Sequence, residues 1–255
     1  MNLKYRGFRL VLILSLLLSM TGCLEWIHAW QTYLQMREFD QYFTSTAQDE
    51  FKIHFKKPKL LTEDFVALAR LRPSTEEVLP DGTKHWRYLF RKVDKDNVLV
   101  QPEISFYCDL TFDKENHVND WIFSRMFLQI APAEFLEASF RSLGSGEINE
   151  DKKQLKTKAA LTEKIAADLP KKSVVLKHLG EPLEIIEEEK WQIYRYQFRL
   201  DAHEIEEGYE DRAMSEVKLM FDHKTSELVK MSGRFAGLKI SINYRDFLEE
   251  KDHEH

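Results

Sequence analysis

Two cysteines and a few histidines are the residues of this chain whose chemistry could decide its function. Cys23 follows Thr21-Gly22 directly behind an apolar run, and Cys108 stands in an aromatic segment. Cys108 could serve as a reactive thiol or an intermolecular bridge. Its alternation with Phe106 and Leu110 fits a small core hydrophobe better. His203-Glu204-Ile205-Glu206-Glu207 begins like a zinc-protease motif. That motif needs a second His four positions on, so that both ligands share a helical face, and Glu207 stands there instead. Asp201, Glu204, Glu206, Glu207, Glu210 and Asp211 form an acidic hairpin loop. It could hold a divalent cation or a basic partner, but a solvated loop is the simpler reading. His253-Glu254-His255 fits a frayed tail better than a metal site. There is no Ser nucleophile elbow, Gly-rich phosphate loop, Cys/His zinc spacing or evident His–carboxylate pair. The expectation is a non-enzyme with no cofactor and no metal.

The N-terminus carries Lys4, Arg6 and Arg9 and no acid, then the aliphatic run Leu10–Met20. A basic start, a short apolar run and a small-residue exit make a secretory signal peptide. A permanent membrane span needs about 20 apolar residues, more than this run supplies. Met20-Thr21-Gly22-Cys23 resembles the lipobox of bacterial lipoproteins, although Leu is usual where Met20 stands. That resemblance implies removal of residues 1–22 and lipidation of Cys23, leaving Cys108 without a disulfide partner. Several acyl chains hold a protein firmly on a membrane where one does not. The resemblance also implies, from Leu24 rather than Asp after the Cys, the periplasmic face of an outer membrane. The 43 acidic residues against 37 basic ones argue against nucleic acid as a partner, because phosphate binding rests on Lys and Arg.

Internal similarity organises the rest. Arg87-Tyr88-Leu89-Phe90-Arg91 recurs as Arg195-Tyr196-Gln197-Phe198-Arg199, and Leu110-Thr111-Phe112-Asp113 as Leu219-Met220-Phe221-Asp222. Pro73 matches Pro182 and Phe127 matches Phe235, in the same order and at nearly constant spacing. Trp86, Tyr88 and Phe90 alternate with polar neighbours as a half-buried strand does, and so do Tyr194, Tyr196 and Phe198. Each set is followed by two further strands with turns at Asp113–Asn116 and Asp222–Lys224. Helical signals precede both sets, at Thr62–Ala69 and at Ser173–Leu179, the second stopped by Gly180-Glu181-Pro182. Another helix is expected between Pro132 and Gly144.

The expected fold class is α+β: two tandem repeats, each a helical segment plus an antiparallel three-stranded meander. The expected boundaries are a signal peptide at 1–22, an amphipathic helix at 23–48 and a first repeat at 49–143. A linker at 144–160, a second repeat at 161–248 and a disordered tail at 249–255 complete the division.

Leu179-Gly180-Glu181-Pro182, Trp191–Leu200 and Val217–Phe235 resemble the small lipoprotein family of the barrel-assembly machinery (BamE, or SmpA/OmlA). The tandem layout is similar to that of the β-lactamase inhibitor proteins. The resemblance is strongest over 162–247; in the first copy Leu71-Arg72-Pro73 replaces the Gly-containing turn. It implies a fold and a compartment, and it transfers no contact residue.

Two functional expectations follow. The first is a non-catalytic envelope interaction or scaffold module with an envelope protein as partner. The second is a binding protein or sensor for a small apolar or lipid ligand held between a helix and an aromatic sheet face. Trp86, Tyr88 and Phe90, or Tyr194, Tyr196 and Phe198, would line such a pocket, although core packing suits them better. Trp26, Trp30 and Tyr33, widened by Ile27, Leu34, Phe39 and Phe43, form a stripe just after Cys23. It fits a membrane interface, a partner helix or, most simply, packing on a sheet.

Overall fold

A computed structural model of the protein describes residues 21–149, 154–156, 163–236 and 238–249. Residues 1–20 of the expected signal peptide, residues 150–153 and 157–160 of the expected linker, residues 250–255 of the expected tail, and the side chains of Cys23 and Trp26 lie outside the described residues.

Eleven strands form a single antiparallel sheet, curled into a half-barrel. In chain order the elements are α1 (Thr21–Met36), α2 (Phe39–Tyr42), β1 (Phe43–Ala47), β2 (Phe51–Phe55), α3 (Thr62–Ala69) and β3 (Thr75–Val78). Next come β4 (Lys84–Val93), β5 (Ser105–Phe112), β6 (Val118–Phe123), α4 (Ala133–Leu143), β7 (Glu147–Asn149) and β8 (Gln154–Lys156). The chain continues through α5 (Lys172–Leu179), β9 (Glu184–Glu187), β10 (Trp191–Leu200), β11 (Met214–Asp222), β12 (Leu228–Phe235) and β13 (Leu238–Asn243). The strand order is β1-β2-β6-β5-β4-β10-β11-β12-β13, with β3 beside β4 and β9 beside β10; β7 and β8 pair separately.

This corrects the expectation of two α+β units. The copies of the repeated segment meet: Phe90 pairs with Leu200, Arg91 with Arg199, Lys92 with Phe198 and Val93 with Gln197. Strand edges carry unpaired N–H and C=O groups, and pairing β4 with β10 satisfies both edges at once. Two meanders thereby become one sheet, with 40% of the chain in strands and 25% in helices. Like charges directly opposite on a sheet repel. Arg91 is compensated by Glu103 at 2.6 Å and Asp201 at 3.0 Å, while Arg199 donates to the Asn97 carbonyl. The expected N-terminal helix is also shorter than its stripe. It ends at Met36, and Phe43 opens an edge strand that pairs with β2.

The sheet's inner face carries the core. Trp86, Tyr88 and Phe90 from β4 and Tyr194, Tyr196 and Phe198 from β10 are all buried. Phe106 and Phe198 meet at 4.8 Å, and Phe90 meets Phe235 edge-on at 5.8 Å, so a single core spans both halves. Helices cover this face. From α3, Phe65 sits edge-on to Phe112 at 5.9 Å; from α4, Phe140 reaches Trp121 at 5.6 Å; α5 buries Val175 and Leu179. Asp64 caps α3, accepting the Leu61 N–H at 2.7 Å. The helix α1 lies outside this layer, against α3 and α4. Its C-terminal turn passes so close to Gly144 that a Cβ there would sit 2.3 Å from the Met36 carbonyl oxygen.

Candidate functional site

Between α3 and the inner face of β4, β5 and β6 lies a cavity of about 210 Å³. Its wall is built from Phe65, Leu68 and Ala69 of α3 and Tyr88, Phe106, Cys108, Leu110, Trp121 and Phe123 of the sheet. Phe127, Phe235 and Ile240 close the far side. Leu68 is 41% exposed, which places solvent at one rim. An apolar cavity of about 150 Å³ in a protein core stays dry and takes up benzene or xenon. This one is larger and just as apolar.

Some of the lining residues also carry polar atoms. Among the described residues the buried Tyr88 hydroxyl has no hydrogen-bond partner, and burial pushes its pKa up. An unsatisfied buried hydroxyl costs on the order of 1–3 kcal/mol. The Trp121 indole N–H donates to the Cys108 Sγ at 2.7 Å. Burial pushes the Cys108 thiol up, against a smaller opposing effect of that bond, so it stays a neutral thiol. Nucleophilic and metal-binding cysteines need the thiolate, and this environment suppresses it.

The residues singled out from the sequence are distributed unevenly. Tyr88 lines the cavity, whereas Trp86 packs against Phe112 at 4.9 Å beyond it. Tyr194 packs on Phe221, and the Tyr196 hydroxyl donates to the Gly180 carbonyl at 3.1 Å, both as core. Tyr33 donates to the Gly146 carbonyl at 2.7 Å, and Trp30 is exposed on α1. Leu68 and Ala69 fit the expected helix and Ile240 an alternating strand, but nothing in their spacing joins them in one wall, because no spacing links a helix to a strand so far along the chain.

Lys92 also escaped sequence reading. It is 5% exposed on the inner face, and its Nζ donates to the Leu179 and Glu181 carbonyls at 2.6 Å each. These are carbonyls at the C-terminal end of α5, where the helix dipole favours a cation. Burial pulls the Lys92 pKa down. Gly180 makes room, turning with φ +62° where an added Cβ would lie 3.6 Å from the Lys92 Nζ.

The fold builds His–carboxylate pairs that spacing did not reveal. His85 and Arg87 both bind Asp109, at 2.9 and 2.7 Å, and Arg87 stacks on Tyr107. The Tyr107 hydroxyl donates to Glu50, and burial and that carboxylate push its pKa up to about 12. His54 meets Asp120 at 3.0 Å, and the Thr111 hydroxyl donates to the same carboxylate. That hydroxyl points at the acid rather than at a histidine, so the nucleophile–base–acid order of a triad is not formed here. Among the described residues no group of three His, Cys, Asp or Glu could hold a metal ion.

The acidic loop is docked rather than free. Glu204 pairs with Arg72 and Glu206 with Arg70, both at 3.3 Å, while His203 N–H donates to the Pro73 carbonyl. Its acids thus tie β10 to the segment between α3 and β3. The cavity under α3 is an enclosed apolar place for a ligand that these ion-paired loops do not offer. Comparison of the chain with protein-family models, with curated proteins and with solved structures finds no match, so the chain is placed by its own geometry.

Proposed function

We propose that this chain is a lipid-anchored envelope protein, on the periplasmic face of the outer membrane, whose body binds a small apolar ligand. The observation that carries this reading is the cavity of about 210 Å³ between α3 and the aromatic face of the sheet. Its volume suits a single ring or a short length of acyl chain. The wall exposes almost no polar surface to the cavity, which favours a wholly apolar ligand or ligand segment. Cys23, as the lipid-bearing residue, supplies the location.

The test is thermal unfolding of the full chain with benzene, indole and a series of n-alkanoic acids. A ligand that binds only the folded chain raises Tm with concentration. Ala69→Leu, which fills the cavity from α3, is expected to abolish the shift while the unliganded protein stays as stable. Absence of any shift across the series would sink the proposal.

A second reading, a non-catalytic interaction module, draws on the short strands β3 and β9. All four residues of each are exposed, including Val78, Ile185 and Ile186, and each pairs with one neighbour only. An extended peptide can add to such an edge. Ile185→Lys with Ile186→Lys is expected to release a protein captured by crosslinking on membranes. Unchanged capture would contradict this route.

A further inference from the structure

The helix α1 is turned the unusual way round. Its buried side carries polar groups: Thr32 and Gln35 are 6% and 8% exposed, and His28 Nδ1 meets the Asp64 carboxylate at 2.9 Å. Gln35 donates to the Lys57 carbonyl at 2.8 Å, and Tyr33 donates to the Gly146 carbonyl. Its outward side carries Ile27, Trp30 and Leu34, which are 46%, 44% and 40% exposed. These positions share one helical face.

We propose that this face is a membrane-docking surface, seated in the headgroup layer of the bilayer that holds the acyl groups of Cys23. The proposal rests on the lipidation of Cys23. Cys23 lies within α1 itself, so no flexible spacer separates the lipid from the body. Ile27 follows Cys23 by one helical turn, which at 1.5 Å per residue puts it about 6 Å along the axis from the anchor. Leu34 comes about 10 Å further. The bonds of His28, Tyr33 and Gln35 fix the rotation of α1 on the body, so the apolar face cannot turn inward. An amphipathic helix with Trp on its apolar side lies in the plane of the interface. Charge agrees with this partner: Arg37 beside the face, and Lys57 and Lys59 in the loop that Gln35 grips, are exposed. Basic residues at that depth are drawn to anionic headgroups.

The test uses the full chain, processed in a bacterium, purified with its lipid and reconstituted in vesicles of phosphatidylethanolamine and phosphatidylglycerol. Trp30→Cys and Leu34→Cys are each labelled with a water-soluble maleimide, beside Val98→Cys on a loop 58% exposed. Seated residues are expected to label roughly tenfold more slowly than Val98→Cys. In a Cys23→Ser chain, without its anchor, all three are expected to label alike. Metabolic labelling with an alkyne fatty acid reports separately on Cys23. Equal labelling of the three variants on a chain that carries its lipid would overturn the docking while leaving lipidation standing. Protection in native membranes but not in vesicles would assign the face to a protein and overturn the proposal. A chain without lipid at Cys23 would overturn it at its root.

Discussion

The two halves of the sheet are built alike and filled differently. In each, a helix lies over a long aromatic strand and its neighbours: α3 over β4, β5 and β6, and α5 over the β10 side. In the second half Val175 and Leu179 of α5 are completely buried, and the Tyr196 hydroxyl is satisfied by the turn that ends the helix. In the first half the Tyr88 hydroxyl has no partner among the described residues, and a cavity separates helix from sheet. Strand side chains hardly differ, since Tyr88 corresponds to Tyr196 and Cys108 stands where Val217 does. The difference lies in how the helices are held. Both C-termini are clamped by a basic side chain from the other half, but Lys92 is buried beneath α5, whereas Arg212 reaches the Leu68 and Ala69 carbonyls of α3 from a partly exposed position. A cavity can therefore be made by positioning a helix, without altering the sheet below it.

The largest effects should separate the filled half from the open one. Phe198→Ala, in the filled core, is expected to cost about 4 kcal/mol, and Phe65→Ala at the cavity about half that, both from urea midpoints. Equal costs would break the comparison. Lys92→Met leaves two carbonyls at the end of α5 unpaired and is expected to cost about 2–3 kcal/mol. Hydrogen exchange should show faster opening confined to α5, and an unchanged α5 would deny Lys92 its clamping role.

Smaller effects sharpen the contrast by sign. Tyr88→Phe removes an unsatisfied hydroxyl and is expected to stabilise the protein by about 1 kcal/mol. Tyr196→Phe removes a satisfied one and is expected to destabilise it by a similar amount, about 1 kcal/mol. The same sign for both, in chemical denaturation, would show the two sites to be equivalent. Alkaline pH gives the smallest distinction. Burial raises the pKa of Tyr88, Tyr196 and Tyr244 above the 10.0 of a free phenol. The folded chain then keeps protons that the unfolded chain loses. Their stabilisation is fully present below pH 10.0 and is lost as pH rises through the folded values. Stability measured between about pH 9 and about pH 11 should fall, and less steeply in Tyr88→Phe. A flat profile would count against the burial of these phenols.

Sequence pattern went a certain distance toward this structure. Period-two alternation marked the inward faces of β4 and β10, and Pro132 and Gly144 bracketed α4. Asp113–Asn116 marked a turn in which Asn116 takes φ +69°. The same alternation says which face a residue points to and nothing about which strand lies alongside, so the union of β4 with β10 was illegible. Phe39 and Phe43 continued the spacing of a helix, and tertiary pairing with Phe55 made Phe43 a strand residue. Short β3 and β9 are four residues each, two of them Glu, and neither Thr-Glu-Glu-Val nor Glu-Ile-Ile-Glu shows the period-two alternation that marks a strand. Of the aromatic residues expected to line a pocket, Tyr88 and Phe90 line the cavity and the β10 residues do not, because a cavity is a mismatch between two elements and no motif encodes it.

The most direct measurement is a crystal structure of the protein under xenon pressure, since xenon enters dry apolar cavities. The expected result is xenon density between α3 and β5, beside Phe65 and Leu110, with none between α5 and β10. Density in both halves, or in neither, would contradict the distinction between an open half and a filled one.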